Sequence, residues 1–280
     1  PERDIRLLAP AGSGKTLSLL HRCAELHRRS AGASSFLVVS FTRAARDELR
    51  ARLTDHAFVG FSTRADVVTR NGWGHRRLRA LSAQPRLHVS GFERASMVNA
   101  ACVQQFNTGS FTLEDQKYGA WLDQRRQLAA GKETASEAHI SEILVDEFQD
   151  INPLDLALIL SIAELNKAAL TIVGDDDQAI FEWRGATPDF ILEPDRHLGR
   201  SFATYILEKN YRSPRNIVQK SARLIAHNQR RVAKAVHPAS TTDAVVDMHT
   251  GDTFLDSVED VLNEIRDFVG RKSPGARMAL

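Results

Sequence analysis

Short uninterrupted apolar runs alternate along this chain with longer stretches of helical period. Ile5 to Leu8 is a short apolar run, Ala9 to Lys15 is small and flexible, and Thr16 to His27 repeats its apolar positions at three- and four-residue intervals. Phe36 to Ser40 (FLVVS) reads as a buried strand and Arg43 to Leu53 as a helix. Ile143 to Val145 and Leu170 to Val173 are two further apolar strands, with a helix over Leu154 to Leu165 between them. Such runs lack polar alternation, so both faces of their sheet must be covered. Strands of this kind alternating with helices predict an α/β fold built on a parallel sheet.

Between the second and third of these strands, about Trp73 to Glu142 is mostly helical in pattern and reads as an inserted subdomain. Its core candidates are Met97, Val98, Cys102, Phe106, Trp121 and Leu122. After Pro214, which suits the first turn of a helix, a helix is expected to about His227. A strand over Ala244 to His249 and a helix over Phe254 to Val269 follow. Arg277 to Leu280 looks like another strand just starting, as in a fragment of a longer chain.

Composition narrows the class. At 280 residues, with 42% hydrophobic and 26% charged positions, the chain can bury a substantial core without disulfide or metal staples. The net charge of +2 identifies no partner. Cys23 and Cys102 stand singly, without the paired spacing of a metal site or disulfide framework. No apolar run approaches the ~18 residues that span a bilayer, and the amino-terminal residues lack the features of a signal peptide. A cytoplasmic protein is the expectation.

The first candidate chemistry is the segment Ala9-Pro10-Ala11-Gly12-Ser13-Gly14-Lys15-Thr16, a phosphate-binding loop with alanine in place of its first glycine. A small-residue turn lets backbone N–H groups surround a phosphate, and the helix behind it aims its positive end at the same point. Lys15 can reach β- and γ-phosphates, and the Thr16 hydroxyl can ligate Mg²⁺. The alternative is an incidental small-residue turn. Strand before and helix after argue against it. Such a loop says nucleotide, and kinases, GTPases and motors all possess one.

Asp146 and Glu147 directly follow the strand Ile143 to Val145. Strands of a parallel sheet end where ligands bind. Asp146 there can hold the Mg²⁺ that bridges phosphates, and Glu147 can take a proton from an attacking water. A solvated acidic loop is the bland alternative; a kinase would need no water-activating glutamate. After Leu170 to Val173 comes Gly174-Asp175-Asp176-Asp177-Gln178, whose amide at Gln178 can report on a γ-phosphate. Phe181, Trp183 and Arg184 follow. Aromatic faces stack on nucleobases, though subdomain packing fits Phe181 and Trp183 equally well.

In order, the segments GSGKT, FTRAARDEL, VDEFQD and GDDDQAIFEWRGA, followed by NYRSP, resemble the motifs of superfamily 1 helicases of the UvrD/Rep/PcrA group. The likeness covers nearly the whole chain, least so from Trp73 to Glu142. It implies a P-loop NTPase of RecA-like fold, with motor domain 1A at residues 1–82 and 141–213. A helical insertion 1B at 83–140 and an incomplete second motor domain 2A at 214–280 would complete the chain. It implies ATP and Mg²⁺ as cofactors and single-stranded DNA, at duplex junctions, as partner, with movement 3′ to 5′ and no membrane. The rest of the helicase, or another chain, would complete the motor. Lys15, Thr16, Asp146 and Glu147 keep the roles derived above, and Gln178 would sense the γ-phosphate. Tyr211 would stack on adenine and Arg212 would act as an arginine finger. Leu17 stands where some relatives place an arginine against the adenine. Phe41, Thr42, Thr63, Trp183 and Arg184 would contact the strand. Ser62 belongs to the Thr63 motif, while Arg76, Arg77 and Arg79 read more simply as a solvated helix face. No upstream glutamine motif and no later motifs are present. The isolated chain could therefore be a nucleotide-gated strand-binding module without turnover, and a small-molecule kinase is disfavoured by the acidic segments.

Overall fold

The computed structural model describes residues 4–55, 58–69, 73, 139–246 and 253–270. Its centre is a six-stranded parallel sheet in the order β3-β2-β4-β5-β1-β6. The strands are β1 (Asp4–Leu8), β2 (Phe36–Ser40), β3 (Ala65–Thr69), β4 (Glu142–Val145), β5 (Ala169–Gly174) and β6 (Phe202–Ile206). The four apolar strands read between Ile5 and Val173 are present, each within a residue of its expected ends. β3 and β6 were not anticipated. Both are edge strands, and β6 is exposed along Thr204, Tyr205 and Ile206, so neither carries the continuous apolar run of a doubly covered strand.

Side-chain alternation assigns each strand's residues to two cores. Phe36 and Val38 of β2 join Leu144, Val173 and the apolar stripe Leu19, Leu20, Cys23 and Leu26 of helix α1 (Lys15–Arg29). Leu49 and Leu53 of α2 (Arg43–Leu53) close that face. Leu37, Val39, Ile143, Val145 and Ile172 point the other way, under Ile159, Ile162 and Ala163 of α3 (Pro153–Asn166). Each fully buried aliphatic side chain contributes about 1.5–3 kcal/mol to holding the layers together. Asn152 caps α3 by accepting the Asp155 N–H at 2.8 Å, with Pro153 in the first turn.

Two part-buried ion pairs fasten the end of the sheet away from the candidate site. Arg22 of α1 forks onto Glu142 at 2.6 and 3.1 Å and also donates to Thr171. Arg200 holds Asp4 at the start of β1, while Asp4 Oδ1 accepts the Leu170 N–H. Cys23 lies in the core, where burial pushes its thiol well above the ordinary value. None of the described helices is long and apolar enough to cross a membrane.

Beyond the sheet, β7 (Lys209–Asn210) pairs in parallel with β8 (His237–Pro238), and α4 (Arg215–Ile225) lies between them in sequence. Helix α4 ends two residues before the expected His227, and Pro214 caps it rather than occupying its first turn. The expected strand from Ala244 is corrected over its described residues. Ala244 N–H and C=O are both taken by the Asn216 side chain, at 2.9 and 2.8 Å, and Val245 is 86% exposed. A backbone paired to a helix-start side chain has no strand partner to seek. Helix α5 (Phe254–Gly270) forms as read. Residues 74–138 of the helical insertion and the terminal strand lie outside the described residues, as do Cys102, Arg76, Arg77 and Arg79.

Candidate functional site

Strand order brings the separate motifs together. β1, β5 and β4 are neighbours, and all three run parallel, so the turns that follow them share one edge of the sheet. The Ala9 N–H donates to Gly174 O at 2.9 Å, tying the Ala9 to Thr16 loop to the end of β5. Ala9, the departure from the glycine pattern, is fully buried. Ser13 closes the turn, its hydroxyl donating to Pro10 O at 2.7 Å. Gly12 and Gly14 take φ of +69° and +91°, a region that favours glycine. Gly14 leads directly into α1, whose first turn carries no acidic side chain. An anion placed there would face the positive end of a fifteen-residue helix. Thr16 is half-buried in the first turn, and Leu17 is 41% exposed.

Lys15 Nζ stands 2.9 Å from Glu147 Oε2. Glu147 itself has φ +51° and ψ +52°, a left-handed conformation uncommon outside glycine and concentrated at functional sites. Its N–H donates to Asp146 Oδ1 at 3.0 Å. Asp146 is 5% exposed. Burial, and then the charge of Glu147, push its carboxyl up to about 6, against the opposing pull of Lys15. A buried carboxylate beside a second one is a donor pair whose chemistry suits a divalent cation.

Gln149 connects this pair to β5. Its Nε2 donates to Glu147 Oε2 at 2.9 Å, and its Oε1 accepts the Asp175 N–H at 3.1 Å. Asp175 then accepts a hydrogen bond from Gln178 Nε2. Lys15, Glu147, Gln149, Asp175 and Gln178 thus form one polar chain. Gln149 was present in the motif but given no role by the sequence; its amide placement is a tertiary fact.

Asn210 was overlooked as well. Its Nδ2 donates to Ala11 O at 2.8 Å, and its Oδ1 accepts the N–H groups of Arg212 and Ser213. The Tyr211 N–H donates to Gly12 O at 2.9 Å. A methyl at Gly12 would meet the Arg212 Cβ at 2.6 Å, so this close approach, as well as positive φ, requires glycine. The Asn210–Arg212 segment is therefore seated on the phosphate loop. Tyr211 is 67% exposed, with the Lys209 ammonium 5.4 Å from its ring centre, and Arg212 is exposed. A pocket of about 380 Å³ opens between Pro10, Gln178, Asn210 and the Val218–Ile225 side of α4. It adjoins the loop but does not include Lys15, Asp146 or Glu147.

The strand-contact candidates divide. Phe41 and Phe181 pack at 4.9 Å between ring centres, and Trp183 follows Phe181 at 6.4 Å while remaining 71% exposed. A row of aromatic faces reaches the surface here, beside the site. Thr42 caps α2, its hydroxyl accepting the Ala45 N–H at 3.0 Å, so it has a structural role whatever else it contacts. Ser62 and Thr63 lie in a 3-10 turn, Val59–Arg64, with Thr63 exposed. Arg184 ends the turn Glu182–Arg184.

The family model described as the UvrD/REP helicase N-terminal domain matches residues 1–125 and 127–198. DNA helicase II of Escherichia coli (strain K12) is 28% identical over 95% of this chain and 44% of its own length. DNA helicase II of Haemophilus influenzae (strain ATCC 51907 / DSM 11121 / KW20 / Rd) is 35% identical over 48% of the chain and 18% of its length. The ATP-dependent DNA helicase PcrA of Staphylococcus epidermidis (strain ATCC 35984 / DSM 28319 / BCRC 17069 / CCUG 31568 / BM 3577 / RP62A) is 36% identical over 44% of the chain and 17% of its length. The chain spans less than half the length of these relatives.

Proposed function

This chain belongs to the UvrD/REP helicase N-terminal domain family, and from that premise we propose that it is the nucleotide-hydrolysing part of an ATP-dependent DNA helicase. The observation that carries the reading is the Lys15–Glu147 contact at 2.9 Å beside buried Asp146, with Gln178 joined to the same polar chain.

ATP would bind with its phosphates against the Gly12–Thr16 turn and the start of α1. Lys15 would exchange Glu147 for the β- and γ-phosphate oxygens. Glu147 would then be free to accept a proton from the water attacking the γ-phosphate. Thr16 and Asp146 would hold Mg²⁺, which supplies charge neutralisation at the phosphates when bound. The donor chemistry at Asp146 supports that fit. Gln178 would report the γ-phosphate, Arg212 would supply charge from the junction, and Tyr211 would stack on adenine. On the nucleic-acid side, Phe41, Thr42, Thr63, Trp183 and Arg184 would line the path of a single strand, with Trp183 as the main stacking face. Residues 1–82 and 141–213 would form the first motor domain, 83–140 the insertion and 214–280 part of the second. Movement from 3′ to 5′ belongs to the same reading.

One observation favours a second reading for the chain alone: Tyr211 and Arg212 are both exposed. In that reading the chain binds nucleotide and strand but does not turn over. ATP hydrolysis with and without single-stranded DNA, with Glu147→Gln as control, separates the two. Strand-stimulated hydrolysis lost in Glu147→Gln supports the motor. Lys15-dependent nucleotide binding without hydrolysis supports the binding module, and no nucleotide binding at all removes both.

A further inference from the structure

The three carboxylates that follow β5 have the spacing of a metal site, with ligand oxygens of Asp175, Asp176 and Asp177 within 4.8 Å of one another. A cation from the protein already stands among them. Lys234 Nζ is 3.1 Å from Asp175 Oδ1 and 2.9 Å from Asp177 Oδ2, and it also contacts Asp176 Oδ1. Its side chain is 1% exposed. Arg231 forks onto Asp177 with two hydrogen bonds of 2.8 Å, and the Val232 N–H donates to Asp176 Oδ2 at 2.8 Å. Three residues of one loop thereby partner all three acids.

Opposite charge favours the ionised forms of Lys234 and Asp177. Burial works against the Lys234 ammonium, but contact with Asp176, Asp175 and Asp177 outweighs it and raises the lysine above its ordinary value. For Asp177, burial pushes the carboxyl up, and the hydrogen bonds from Arg231 and Lys234 overcome that and bring it down. Separating such pairs would leave buried charges without partners, so the loop and the acids are expected to move together.

Asp175 faces two ways. Its Oδ1 meets Lys234 while its Oδ2 accepts from Gln178 Nε2. The loop that carries Lys234 continues into β8, whose partner β7 ends at Asn210, and Asn210 holds the phosphate loop through Ala11 O. We propose that Lys234, acting through Asp175, is a positioning residue for Gln178, so that the loop after α4 sets where the Gln178 amide stands relative to the γ-phosphate. This rests on the nucleotide-hydrolysing reading and goes beyond it by naming the link between the amide and the carboxy-terminal segment.

A double-mutant cycle on the full chain tests it, read as the preference for a Mg²⁺-bound non-hydrolysable ATP analogue over Mg²⁺-ADP in equilibrium binding. Wild-type binding that Lys15→Ala abolishes secures the underlying reading. If the wild type binds neither nucleotide, the functional reading itself fails and this inference falls with it. Lys234→Met and Gln178→Ala are each expected to lower the preference roughly tenfold, with the double variant no worse than either alone. Additive losses, or an unchanged preference in Lys234→Met, overturn the proposal. So does an equal loss of ADP and analogue binding, which is what a merely structural lysine gives. If Lys234→Met does not fold, Lys234→Arg keeps the charge while shifting the contact, and the same non-additivity with Gln178→Ala is required of it.

Discussion

Lys15 and Glu147, 132 positions apart in sequence, meet through a 2.9 Å ion pair at the shared edge of the sheet. On the proposed function, ATP would have to displace Glu147 to reach Lys15. Glu147→Gln would remove that competition along with the proposed proton acceptor. The variant is expected to bind ATP at least as tightly as the parent while losing turnover by ~10²-fold or more. Lys15→Ala should lose binding instead. Calorimetric affinities beside steady-state hydrolysis rates check this, and weakened ATP binding in Glu147→Gln would contradict the exchange.

Asp146 sets a pH dependence whose direction follows from its raised carboxyl, at about 6 in the folded chain. The unfolded chain releases that proton near pH ~4. Between those values the folded state holds a proton that the unfolded state has lost. Its stabilising effect is therefore complete below the unfolded value and lost as pH rises through about 6. Asp146→Asn mimics the protonated form. It is expected to be more stable than the parent above pH 6, by about 2–3 kcal/mol at most, and equal to it in acid. Urea unfolding of the nucleotide-free protein at acidic and neutral pH measures the difference; a variant less stable than the parent at neutral pH would reverse the sign.

Gly174 ends β5 against the Gln149 side chain. A methyl there would stand 2.4 Å from Gln149 Oε1, 2.7 Å from Ile191 Cδ1 and 3.1 Å from the Phe148 backbone nitrogen. Gly174→Ala is expected to cost about 1–3 kcal/mol through overpacking and to disturb the Gln149 bridge. Gly60→Ala, which meets nothing within 4 Å, serves as the control. Similar urea midpoints for the two variants would remove the argument.

Trp183 is exposed at the end of the Phe41–Phe181 row. Trp183→Ala is expected to weaken binding of single-stranded DNA by about 1–3 kcal/mol, with stability changed by no more than about 0.5 kcal/mol. Fluorescence anisotropy with a labelled oligonucleotide and a thermal melt provide the two readings. Unchanged affinity would assign the aromatic row to packing against another part of the protein.

The sequence by itself determined the sheet's inner strands, because Phe36 to Ser40, Ile143 to Val145 and Leu170 to Val173 are mostly apolar without alternation, and a doubly covered parallel sheet accepts such runs. It also determined the turn between β1 and α1, since Gly12 and Gly14 at positive φ and the helix after them are local properties of a few adjacent residues. β3 and β6 were not legible, because an edge strand is covered less and carries less pattern. Nor was the Ala244 segment, where a side chain, Asn216, took both backbone groups. Gln149, Asn210 and Lys234 are single polar residues whose partners lie 2 to 199 positions away. No spacing rule finds a lysine whose three carboxylates are delivered by another strand. Only the order of β1, β5 and β4 at one edge, and the return of the chain after α4, brought those charges into one buried cluster.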